Sequence, residues 1–94
     1  MMNDYVPSAF YLGQNYPNPF KDKTTIKYCV AYKSKVRVTV FDSEDKMIKR
    51  LVDEVKEAGT YEVEFDSCDL TAGTYYYLIE VGDYMNKKKM MLLK

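Results

Sequence analysis

Few side chains in this sequence are placed to make or break a covalent bond. There is no histidine, which removes the commonest general base and metal ligand. Ser8, Ser34, Ser43 and Ser67 stand outside the usual nucleophile motifs, and the four glycines form no phosphate-cradling run. Asp66 and Asp69 near Cys68 suggest a calcium or carboxylate site, but a strand-ending turn explains them more simply. Cys29 and Cys68 have no metal-ligand spacing; a single bridge between them stays open, and two small half-buried residues is the plainer reading. The expectation is a protein that is not an enzyme and holds neither metal nor cofactor.

Chemistry of contact is better represented. Three consecutive lysines, Lys87, Lys88 and Lys89, run into the apolar stretch Met90, Met91, Leu92 and Leu93. Ten tyrosines invite a carbohydrate-binding reading, since aromatic faces stack on sugars. However, Tyr28, Tyr61, Tyr75 and Tyr77 fall in phase with strand cores, and Tyr5, Tyr11, Tyr32, Tyr76 and Tyr84 are scattered. Burial and pleat packing are therefore the favoured use of the rings.

The elements that must position these residues are strands. Ile26, Tyr28 and Val30 alternate with Lys27, Cys29 and Ala31; Val36, Val38 and Val40 alternate with Lys35, Arg37 and Thr39; Tyr61, Val63 and Phe65 alternate with Glu62 and Glu64. A period of two is that of a strand with one face on a core and one in water. Residues 75–81 are apolar or aromatic on both faces and read as a more central strand, and residues 90–93 read as a last strand entered through the lysines. Residues 47–55 also fit a helical stripe through Met47, Ile48, Leu51, Val52 and Val55, but short turns on both sides favour a strand. Turn residues at 42–46, 56–59, 72–74 and 82–86 recur about every 10–14 residues across seven candidate strands, the pattern of a small antiparallel sandwich.

Bulk properties narrow the setting. Ninety-four residues allow one domain, and a chain of this size buries roughly 60–70% of its unfolded surface. Fourteen basic residues balance fourteen acidic ones, which argues against nucleic acid or an anionic membrane as main partner. No apolar run approaches the roughly 18–20 residues of a membrane span, and no secretory signal peptide is expected at the start, where Asp4 stands without a basic region. Residues 1–9 read as a linker or cleavage-region tail and residues 10–94 as the domain.

One irregular segment stands apart from the strands: Gln14, Asn15, Tyr16, Pro17, Asn18, Pro19, Phe20. Each proline fixes φ and removes an amide donor, so the stretch cannot join a central strand. An Asn precedes Pro19, and Asn15 can bond its own backbone, which gives a stiff extended loop between two aromatic anchors. Tyr16 and Phe20 are expected to cap one end of the sandwich.

Taken in order, these pieces resemble a known family. The segment from Phe10 and Leu12 through Gln14 to Phe20, then Thr24, Thr25, Ile26, Lys27 and Tyr28, is similar to the opening of the type A C-terminal sorting domain of type IX secretion cargo. The likeness continues through Val36, Val38, Val40, Phe41 and Asp42, Lys49, Leu51 and Val52, Ala58, Gly59 and Tyr61, Leu70, Ala72, Gly73, Tyr75, Tyr76 and Tyr77, and ends at Lys88, Lys89, Met90, Leu92 and Lys94. It departs at Lys21, Asp22 and Lys23, at Val30, Ala31 and Tyr32, and in the hairpin Ser43, Glu44, Asp45 and Lys46, where a Gly is usual. Asp45 tolerates a left-handed conformation, so that turn is expected to survive.

The resemblance implies an all-β, immunoglobulin-like antiparallel sandwich of about seven strands. It further implies a delivery label fused behind a cargo domain, passing through the periplasm and recognised by the outer-membrane type IX translocon with its shuttle and sortase proteins. The sortase would remove the label and leave cargo at the cell surface or outside the cell. Lys88, Lys89, Met90, Leu92 and Lys94, with Gly73 and Tyr75, are the expected partner-recognition residues; Asn15, Tyr16, Pro17, Asn18, Pro19 and Phe20 form the expected structural loop. On residues alone the last strand is an ordinary edge strand guarded by lysines, and the resemblance turns that preference toward strand addition. An edge-strand homodimer through residues 90–93 is a further expectation. The alternative is a structural or adhesive immunoglobulin-like module, akin to that of the flagellar hook-capping protein, serving assembly or carbohydrate binding.

Overall fold

A computed structural model describes residues 9–93. Seven strands and no helix make up this region: β1 (Tyr11–Leu12), β2 (Lys23–Val30), β3 (Ser34–Asp42), β4 (Met47–Lys56), β5 (Gly59–Asp66), β6 (Gly73–Val81) and β7 (Tyr84–Leu92). They form two antiparallel sheets, β1-β2-β5 and β4-β3-β6-β7, packed as a sandwich. Alternation places the inward residues of both sheets in one core: Ile26, Tyr28 and Val30 of β2, Val36, Val38 and Val40 of β3, Phe65 of β5, Tyr77 and Ile79 of β6, Met90 and Leu92 of β7. The central position expected for residues 75–81 holds, since β6 lies between β3 and β7.

Residues 47–55 are strand, and two bulges explain their helix-like spacing. Val38 faces Val52 but Thr39 faces Arg50, and Val40 faces Lys49 but Phe41 faces Met47. Leu51 and Ile48 are thus the extra residues of β4, and both pack half-buried against the core. A bulge inserts one residue into a period of two, so two bulges three residues apart imitate a helical stripe.

The last strand is longer than its apolar run. Gly82, with φ of 57°, and Asp83 alone make the turn, Val81 pairs with Tyr84, and Lys87, Lys88 and Lys89 are strand residues rather than an approach to one. The 82–86 turn expected from sequence is corrected to two residues, because a glycine in the left-handed region closes the tightest hairpin. The other hairpin turn survives as expected: Asp45 adopts φ of 64°, and the Asp42 carboxylate accepts from the amides of Glu44 and Lys46. These N–H groups, Lys46 first, hold the Asp42 carboxyl below the ordinary carboxylate range.

Aromatic groups close both ends. Phe20 packs edge-on to Phe65 at 6.2 Å where β7 ends, and Phe10 meets Tyr32 at 5.0 Å and Tyr84 at 5.6 Å where β7 begins. Cys29 faces Thr60 near one end of β2, whereas Cys68 follows β5 beyond Asp66, which faces Lys23 at the other end. Six residue steps along β2 between those stations span about 20 Å, too far for a disulfide.

Candidate functional site

The irregular loop and the last strand, two separate features of the sequence, are one structure. After β1 the chain follows the edge of β2: the Gly13 amide donates to the Lys27 carbonyl at 2.8 Å, and Tyr16 and Thr25 exchange both main-chain bonds at 2.9 Å. It then crosses to the other sheet. The Phe20 amide donates to the Met91 carbonyl at 2.9 Å, the Leu93 amide donates to the Phe20 carbonyl at 2.8 Å, and the Met91 amide donates to Asn18 Oδ1 at 2.9 Å. Gln14 Nε2 donates to the Lys89 carbonyl at 2.9 Å. Segment 14–20 therefore clasps the outer edge of β7 along residues 89–93. The peptide bonds preceding Pro17 and Pro19 are both cis.

Two buried polar centres fix the clasp. Asn15, 2% exposed, donates through Nδ2 to Thr24 Oγ1 and to the Pro17 carbonyl. Tyr77, fully buried in β6, donates its hydroxyl to the Gly13 carbonyl and accepts from the Asn15 amide, each at 2.7 Å. Burial pushes the Tyr77 phenol up to about 12, partly opposed by the Asn15 amide, which favours the phenolate. Burial also raises Tyr28.

Replacing Tyr77 by phenylalanine leaves the Gly13 carbonyl and the Asn15 amide without their partner, at an expected cost of about 2–3 kcal/mol. Urea unfolding at neutral pH measures it, and an unchanged midpoint refutes the anchoring role. Because the phenol titrates higher in the folded state than its ordinary 10.0, its contribution is complete below pH 10 and is lost as pH rises through about 12. Wild-type stability is therefore expected to fall in that alkaline window, with a smaller fall in the phenylalanine variant.

The expected recognition residues divide by face. Met90 and Leu92 point into the core at 0% and 1% exposure, so a partner reading the folded domain does not reach them. Lys88 points the same way from β7, opposite Tyr77, and is half-buried. An inward-facing lysine on an edge strand opposes pairing with another edge. Lys89 is exposed on the outer face, opposite Tyr76, and Lys94 lies outside the described residues. Gly73 begins β6 with φ of 150°, a backbone that favours glycine, and Tyr75 is buried with its hydroxyl on the Thr71 carbonyl. Both have a part in shaping the start of β6.

Three points of the sequence reading change. Tyr16 is not a buried cap: it is 80% exposed, because both its main-chain bonds go to Thr25 and turn the ring to solvent, while Phe20 alone fills the end of the core at 1% exposure. The main-chain edge of Met91 and Leu93 is already occupied by residues 18–20, so strand addition or pairing of two copies there must first displace the clasp. The last strand, read from sequence as one recognition segment, is divided by the pleat, and Lys87, Lys89, Met91 and Leu93 form its exposed outward row. Lys87 sits 3.0 Å from the Asp45 carboxylate and 5.1 Å above the Tyr76 ring.

A two-sheet sandwich, without helix among the described residues, whose 14–20 loop binds its own last strand defines a small β-sandwich module. The chain matches the Secretion system C-terminal sorting domain family over residues 14–93 and belongs to it. That family carries the C-terminal sorting signal of type IX secretion, and its chains are exported to the outer membrane or cell surface. No curated protein matches the chain.

Proposed function

We propose that this domain is a non-catalytic sorting label that directs a fused N-terminal cargo to the outer-membrane type IX translocon, where a sortase removes it. The observation that carries the reading is the clasp. The family's first motif and its last strand are joined by four hydrogen bonds, so a receptor meets both as one rigid surface. On that surface Lys87, Lys89, Met91 and Leu93 supply charge and apolar contact, with the lysines steering the encounter. The cut would fall at or before the first motif, within residues 1–10, so that cargo leaves without disturbing the clasp. Transit through the periplasm follows from delivery to an outer-membrane receptor.

The test is a fusion of residues 1–94 behind a fluorescent reporter that carries an inner-membrane signal peptide, in a host with a working type IX system. Processed reporter outside the cell, absent in a translocon-deficient host, is the expected result. Reporter held in the periplasm with the domain folded would overturn the sorting role for this chain.

A further inference from the structure

Beyond sorting, one face of the molecule carries an arrangement the clasp does not use. Tyr11, Gly13 and Tyr16 are stations along the edge of β2, opposite Cys29, Lys27 and Thr25. Tyr11 is 52% exposed and Tyr16 80%. Tyr32, similarly exposed, packs edge-on to Phe10, but among the described residues no ring stacks on Tyr16. The main chain beneath Tyr16 is nonetheless held at both its amide and its carbonyl. A ring 80% exposed on a main chain held at both polar groups contributes little to the core and is suited to a ligand.

The two rings flank a shallow cleft of about 450 Å³ whose lining includes Thr25, Lys27 and Glu62. The two backbone stations lie four residue steps apart on β2, about 13 Å, and the Tyr11 ring leans over Gly13 toward Tyr16, which shortens the span between the rings to that of a disaccharide. Lys27 is the midpoint, opposite Glu62 on β5, and Gly13 beside it is buried under the Tyr11 ring, which a side chain there would displace. A β-carbon at Gly13 would come within 3.3 Å of the Tyr11 ring and of the Lys27 carbonyl.

We propose that this edge is a binding site for a short stretch of neutral oligosaccharide, with sugar rings lying on Tyr11 and Tyr16 and hydroxyls between them bonded to Lys27 and Glu62. A sugar presents an apolar C–H face to an aromatic ring, and its hydroxyls both donate and accept. One ammonium facing one carboxylate satisfies such a ligand and favours neither a phosphate nor a basic peptide. An open cleft leaves the outer hydroxyls in water, so affinity in the millimolar range is expected, near −4 kcal/mol.

The site is tested on the purified 94-residue chain by NMR titration with cellohexaose, xylohexaose, laminarihexaose and mannohexaose, with oligogalacturonate as an anionic control. The expected result is saturable shifts confined to residues 11–16, 25–27 and 62 with at least one neutral glycan, weakened tenfold or more in Tyr16→Ala and unchanged in Tyr32→Ala. No shift with any neutral glycan, shifts elsewhere, or a response to oligogalacturonate alone overturns the proposal. So does a concentration-dependent dimer in sedimentation that Tyr16→Ala abolishes while no glycan binds, since the face would then be a protein contact. The assay uses no secretion machinery, so its outcome is separate from that of the sorting role.

Discussion

Phe20→Ala is expected to destabilise the domain by about 3–5 kcal/mol, the range for removing a buried aromatic ring. The ring is 1% exposed, and it closes the core where β2 begins and β7 ends, against Phe65. Its own amide and carbonyl hold Met91 and Leu93, so a cavity beneath the ring also loosens the clasp on the last strand. For a domain of this size each kcal/mol moves the midpoint by roughly 4–8 °C, and a melting temperature lowered by about 15 °C or more is the expected reading. Tyr16→Ala, four residues earlier in the same loop, removes an exposed ring and is expected to stay within about 0.5 kcal/mol of wild type. Equal effects of the two substitutions would remove the distinction between plug and exposed ring.

Deleting residues 90–94 is expected to abolish export of a fused cargo. The deletion takes Met90 and Leu92 out of the core and removes the strand that residues 18–20 hold, so the domain loses both its fold and the outward row proposed for recognition. A folded companion separates these losses. Lys89→Gln combined with Met91→Ser changes two outward side chains opposite Tyr76 and Thr74 and should leave the melting temperature within a few degrees. Export reduced several-fold in that variant locates recognition in the outer row. Undiminished export of the deletion sinks any role for the strand, and undiminished export of the double variant confines it to structure.

Local pattern was enough for most of the sandwich. The alternation of Val36, Val38 and Val40, or of Tyr61, Val63 and Phe65, is a property of consecutive residues, and the pleat converts it directly into an inner and an outer face. The prolines declared the loop because each fixes its own φ, and Asp45 allowed its turn because it tolerates the left-handed region. Gly82 marked a turn, yet the extent of β7 was not legible, because Asn86, Lys87, Lys88 and Lys89 are polar on both sides. Only pairing with β6 makes them strand.

The chain by itself determined which residues alternate, where turns must fall, and which family the succession of motifs resembles. Tertiary structure alone decided that Asn18 and Phe20 bond a strand more than seventy residues away, that Tyr77 anchors Gly13 and Asn15 from the opposite sheet, and that Tyr16 faces water while Phe20 faces the core. Side-chain period and backbone restriction are local. The partner of an unpaired edge, and the side of a loop that meets it, depend on which segments the two packed sheets bring together.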